Sequence, residues 1–128
     1  MGRGYRQGRI GEEIRKIISE MLMRELKDPR LTGSMISITG VDVTKDNSFA
    51  YVYFTVLGQS SDEEENHRVE EEVLEGLSSA EGRLRKEIGR NIKMRRVPEL
   101  IFRVDRSMEY GNHIEEVIRT LGIDKYEE

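Results

Sequence analysis

The chain has 128 residues, 36% hydrophobic and 36% charged, with a formal net charge of −4. That length suits one compact domain spanning 1–128, and no apolar run is long enough to cross a bilayer, so no membrane partner is expected. Cysteine is absent, which excludes disulfides and cysteine-ligated zinc and fits a reducing cytoplasm. Residues 1–9 are polar and arginine-bearing with no apolar stretch behind them, so they do not read as a secretory signal.

In chain order, residues 1–8 read as a mobile arm, with an ordered core over about 9–121. Arg9 to Lys27 predicts a helix, because Ile10, Ile14, Ile17, Ile18, Met21 and Leu22 fall on one stripe. Asp28-Pro29 should stop it, since the residue before proline is pushed out of helical geometry. Residues 35–43 alternate, but Ile36 and Ile38 differ in parity from Val41 and Val43. Gly40 sits at the slip, which suggests a β-bulge. Residues 44–48 carry turn chemistry. Phe49 to Val56 is the clearest strand, with Ala50, Val52, Phe54 and Val56 on one face. The two strands predict an antiparallel hairpin.

Ser61 or Asp62 can cap the next helix, which runs to about Ser79 with acids at its positive end. Ala80-Glu81-Gly82 then interrupts the helical pattern, and glycine allows a sharp redirection there. A basic helix follows from Arg83 to about Lys93. Leu100 to Val104 predicts a short strand. A last helix starts near Asn112 and carries Ile114, Val117, Ile118 and Leu121, before a mobile tail at 122–128. The predicted class is α+β, a three-stranded sheet covered by helices.

The charge is unevenly placed. From Gly82 to Arg96 there are seven basic residues (Arg83, Arg85, Lys86, Arg90, Lys93, Arg95, Arg96) against Glu87, a local net of +6. From Asp62 to Glu75 there are eight acids against Arg68, a local net of −7. The local field decides what a surface attracts. At ~100° per residue, Arg83, Lys86, Arg90 and Lys93 share an arc opposite Leu84, Ile88 and Ile92. Surface helices usually mix signs; this stripe is almost all cationic and continues into Arg95 and Arg96. Such a stripe attracts phosphates, and Arg3, Arg6 and Arg9 supply a second, accessory basic cluster.

No catalytic constellation is present. His67 and His113 have no spaced partners, and the acidic run lacks the alternation and glycine of a calcium loop. No metal site, cofactor or enzymatic activity is expected. Gly8-Arg9-Ile10-Gly11 matches the G-x-x-G clamp of KH domains, but it opens a helix instead of joining two. In a helix-strand-strand-helix-helix-strand KH domain, the clamp position falls at Ala80-Glu81-Gly82.

Taken together, the chain resembles the ribosome-binding factor A family over about residues 5–121. Four features carry the likeness: Leu26-Lys27-Asp28-Pro29-Arg30-Leu31; Ala80-x-Gly82; Arg96-Val97-Pro98-Glu99-Leu100-Ile101-Phe102 followed by Asp105-x-Ser107; and Gly111-Asn112-His113-Ile114. The resemblance implies a KH-like fold of type II, with Ala80 and Gly82 as the interhelical kink that replaces G-x-x-G. It implies a non-catalytic factor that binds immature, free 30S subunits. The implied contacts are to 16S rRNA near the decoding-region neck and the 5′-terminal helix. It implies help with late rRNA processing and maturation, including cold adaptation. The chain ends in Asp124-Lys125-Tyr126-Glu127-Glu128, unlike the long basic tail of some members. A monomer is expected, with small-subunit ribosomal proteins as further partners. The competing reading is a protein-interaction module that docks basic partners through the acidic helix.

Overall fold

The computed structural model describes residues 8–107. Arg3 and Arg6, the helix expected from Asn112 and the tail at 122–128 lie outside the described residues.

The first helix, α1 (Gly8–Arg24), buries Gly11, Ile14, Ile18 and Met21. These positions recur at three or four, as the apolar stripe requires. It ends three residues earlier than the sequence suggests: the amides of Glu25 and Leu26 both donate to the Met21 carbonyl. Asp28-Pro29 does more than stop it. The Asp28 carboxylate accepts the Arg30 amide at 2.9 Å, and Pro29 takes the first position of a one-turn helix, α2 (Pro29–Thr32). A capping acid followed by proline is a start signal as much as a stop signal.

Strands β1 (Met35–Val43) and β2 (Phe49–Leu57) pair antiparallel, as expected. The register slips between Ile38 and Gly40, so Thr39 is the extra residue, and the slip brings Val41 and Val43 back to the core face. Asn47 turns the hairpin at φ 61°, a left-handed angle that asparagine tolerates better than most residues. Strand β3 (Glu99–Val104) lies parallel to β2, giving the sheet order β1-β2-β3. A parallel pair needs a crossover, and two helices provide it.

In that crossover, α3 (Glu63–Ser79) is capped by Asp62, whose carboxylate accepts from the amides of Glu64 and Glu65. Helix α4 (Glu81–Asn91) follows after one residue. Ala80 has φ −89° and ψ 1°; its amide closes α3 onto Gly76 and Leu77, and its carbonyl accepts from Leu84 to open α4. Gly82 does not make the redirection. It lies inside α4 without a positive φ, and a Cβ built there meets nothing within 4 Å. Helix α4 also starts and ends two residues earlier than expected. Ile92 is already extended at φ −121° and ψ 124°, so Lys93 stands beyond the helix.

One apolar cluster joins the helices to the sheet. Ile14 and Ile18 of α1, Val73 and Leu77 of α3, and Leu84 and Ile88 of α4 meet Ala50, Val52, Phe54, Leu100 and Phe102 of the sheet. The element order α-β-β-α-α-β, with α2 added, is the KH-like order, and the architecture is α+β. Glu70 of α3 is buried, and Gln59 after β2 and Arg106 after β3 each donate to it at 2.8 Å.

Gly11 has a packing role. A Cβ there would lie 2.5 Å from the Val41 carbonyl oxygen, so α1 could not approach β1 this closely with any larger residue. Gly11→Ala is therefore expected to destabilise the domain by ~1–3 kcal/mol in denaturant titration, as overpacking does. Gly82→Ala is expected to leave stability unchanged or raise it by up to ~1 kcal/mol, the helix-propensity gain of alanine over glycine. The Asp28 carboxyl is held below its usual range by the Arg30 side chain first and the Arg30 amide second. Its stabilisation is present above the unfolded pKa of about 3.9 and is lost as pH falls through the lower folded value. The melting-temperature gap between the wild type and Asp28→Asn should accordingly be full at pH 6 and close as the buffer is taken below pH 4.

Candidate nucleic-acid interface

Helix α4 forms because its apolar residues recur four apart, and burying them dictates where its cations go. Leu84 and Ile88 are fully buried and Ile92 nearly so. Arg83, Lys86 and Arg90 occupy the opposite side and are exposed or half-exposed. Lys93 is exposed too, but the helical period no longer fixes its direction, since the chain is extended from Ile92. Arg95 and Arg96 are exposed in the segment that leads to β3.

These six cations differ in their ties. Arg83 lies 3.6 Å from Glu25 at the end of α1, and Arg90 lies 3.2 Å from Glu87 one turn back. Both pairs are solvent-exposed; such pairs contribute ~0–1 kcal/mol and yield readily to a competing phosphate. Lys86, Lys93, Arg95 and Arg96 make no ion pair with any described residue.

Arg85, the seventh cation of the basic run, faces inward. Its Nε donates to the Pro98 carbonyl at 3.1 Å and its Nη2 to the Val97 carbonyl at 2.9 Å. Glu81 accepts the Leu100 amide at 3.0 Å. Together they fasten α4 to the start of β3 and satisfy backbone groups that would otherwise be orphaned. The signal for Arg85 is present in its helical angle, which falls beside Ile92 and outside the cationic arc. No comparable sequence signal marks Glu81.

Arg9, from the accessory cluster, is exposed near the start of α1 and lies 3.8 Å from Glu13. Its cluster partners Arg3 and Arg6 lie outside the described residues. Gly8 and Gly11, the G-x-x-G look-alike, sit within α1, where Gly11 serves the contact with β1. On α3, Asp62 to Glu65, Glu71 and Glu72 are exposed, whereas Glu70 is withdrawn into its contact with Gln59 and Arg106. The acidic surface is thus smaller than a count of its carboxylates implies. Among the described residues, no three His, Asp or Glu side chains group as metal ligands do. The exposed arrangement can bind polyanions through charge.

The sequence matches the family described as ribosome-binding factor A over residues 6–118. Ribosome-binding factor A of Clostridium botulinum (strain Loch Maree / Type A3) is 45% identical over 121 residues, 94% of each chain. The crystal structure of ribosome-binding factor A from Thermus thermophilus is similar at a TM-score of 0.63 and 29% identity, covering 78% of this chain and 96% of that one. A Thermus thermophilus ribosome-binding factor A homology model, fitted into the cryo-EM map of a complex with the 30S subunit, is similar at a TM-score of 0.55 and 28% identity, covering 75% and 91%. With the family match spanning nearly the whole chain and the fold matching solved members, this chain belongs to the ribosome-binding factor A family.

Proposed function

We propose that this protein is a non-catalytic assembly factor that binds the small ribosomal subunit through phosphates of 16S rRNA. The observation that carries the reading is the separation of α4 into a buried apolar side and a solvent-facing cationic one. Leu84 and Ile88 face the core, and Lys86 and Arg90 face solvent. Family membership supports the choice of target, because a relative has been fitted into the map of a 30S complex.

In this reading Arg83, Lys86 and Arg90 contact RNA backbone from α4, and Lys93, Arg95 and Arg96 extend the contact along the following segment. Arg9, with Arg3 and Arg6, adds an accessory contact. Ala80 forms the corner that presents α4, with Gly82 inside the first turn of that helix. With Ala80 where a clamp loop would place its first glycine, the corner aims the helix and does not grip RNA. Binding to free, immature subunits then assists late 16S rRNA processing, including growth in the cold, as a cytoplasmic monomer. Phosphate contacts dominate the affinity, and the shape of folded rRNA supplies selectivity.

The charge reversal best suited to a test is Lys86→Glu with Arg90→Glu: reversing Arg83 would set a carboxylate against Glu25 beyond α1, whereas Arg90→Glu meets only Glu87 on its own helix, a repulsion of about 0.2–0.5 kcal/mol. Wild-type protein should bind small-subunit RNA stripped of protein, with affinity falling steeply as salt rises. The double variant should melt normally, bind more than about tenfold more weakly and lose about two from the salt slope. Undiminished co-sedimentation of the variant with free subunits at moderate salt would sink the assignment. Binding to intact subunits but not to stripped RNA would favour docking of the acidic α3 on a basic ribosomal protein.

A further inference from the structure

The Leu26-Lys27-Asp28-Pro29-Arg30-Leu31 stretch plays no part in the proposed RNA contact, yet it sits against the α3–α4 corner. Arg30 Nη2 donates to the Ser79 hydroxyl at 3.2 Å, and Arg30 Nη1 lies 3.7 Å from Glu75. Ser79 is the last residue of α3, directly before Ala80. On the other side of the corner, Glu25 lies 3.6 Å from Arg83 in the first turn of α4. The chain from Glu25 to Arg30 therefore touches both helices on either side of the break.

Arg30 is itself held in place. Asp28 accepts its amide at 2.9 Å, its Nε at 3.1 Å and its Nη2 at 2.6 Å. Beneath it, α2 lies unusually close to α3. A Cβ on Gly76 would come within 2.9 Å of the Leu31 side chain and 3.2 Å of the Arg30 Cβ. Leu31 is buried at that contact. The corner has little to fix it locally: Ala80 offers no side-chain cap to α4, and a Cβ on Gly82 would meet nothing. Glu81 and Arg85 pin α4 to β3, but they do not hold the end of α3. An exposed pair such as Glu25–Arg83 contributes little alone. The guanidinium of Arg30, forked between Asp28 and Ser79, is the better anchor.

We infer that Arg30 is a positioning residue: seated on Asp28, it braces the last turn of α3 and so fixes the corner from which α4 presents its cations. The inference rests on the reading of α4 as the RNA-binding face. Arg30 acts through geometry and not through charge delivered to RNA, so lysine cannot replace it. Nη2 alone meets both the Asp28 carboxylate and the Ser79 hydroxyl, while Nε holds the guanidinium on Asp28; a lysine ammonium ends one bond short of Nη2 and has no Nε–H to seat it.

The test uses Arg30→Lys, Arg30→Ala and Ser79→Ala in the full chain, with Lys86→Glu/Arg90→Glu as the control for the α4 reading. Residual dipolar couplings report the α3–α4 angle without any RNA present. Co-sedimentation with free small subunits reports affinity. Both Arg30 variants should bind about fivefold more weakly, with couplings altered across residues 78–86 and melting temperatures lowered no further than by Asp28→Asn. Ser79→Ala, which keeps every charge, should move the same couplings in the same direction and keeps the test open if Arg30→Ala fails to fold. The brace is overturned if Arg30→Lys binds like wild type, whatever Arg30→Ala does, because charge alone then suffices. It is equally overturned if the couplings do not change. If the control double variant binds undiminished, the α4 reading fails, and the couplings alone decide whether Arg30 sets the angle.

Discussion

Helices α1, α3 and α4 all bury against the same face of one three-stranded sheet, and each can do so only by turning its apolar side inward. Burying a large aliphatic side chain is worth ~1.5–3 kcal/mol, far more than any surface ion pair contributes. Ile14, Ile18, Val73, Leu77, Leu84 and Ile88 are all fully buried there. The exposed charges therefore take the positions that remain. The cationic side of α4 is the consequence of a packing decision made by Leu84 and Ile88.

The corner at Ala80 joins helices of opposite charge. Exposed carboxylates crowd the start of α3, and cations line α4 and the segment after it. Because Ala80 both ends one helix and begins the next, the two charged surfaces meet at a single residue. A polyanion is repelled by one surface and attracted by the other, which gives the molecule a preferred approach direction before any close contact forms. Arg85 and Glu81, charged residues whose side chains bond to the neighbouring backbone, lock that arrangement to the sheet by satisfying groups at the start of β3.

Most of the fold is legible in the sequence because its signals are local. The alternation in 49–56, the parity slip at Gly40, the Asp62 cap and the four-residue spacing of Leu84, Ile88 and Ile92 each report a backbone conformation directly, and each is present in the structure. The differences arise where the answer depends on which elements approach each other. Gly82 reads as the hinge, yet the break falls at Ala80, since a glycine is needed only where φ is positive or space is short, and neither holds there. Gly11 fits the pattern of a nucleic-acid clamp, and it is the contact point of α1 with Val41. Helix α2 escapes a sequence reading because Asp28-Pro29 serves equally as an ending and a beginning.

The candidate site divides in the same way. Which residues of 83–96 are cationic, and that Arg83, Lys86 and Arg90 oppose Leu84 and Ile88, follows from the sequence, because helical angle depends only on spacing. That Lys93 leaves the helix, that Arg85 is spent on the Val97 and Pro98 carbonyls, that Glu70 is withdrawn from the acidic surface, and that Arg30 reaches Ser79 were decided only by tertiary structure. Each depends on a group 12 to 49 positions away in the chain or on where the last helical turn meets the sheet. Local spacing fixes the direction in which a side chain leaves its helix; what it meets there is set by the packing of elements that the spacing does not describe.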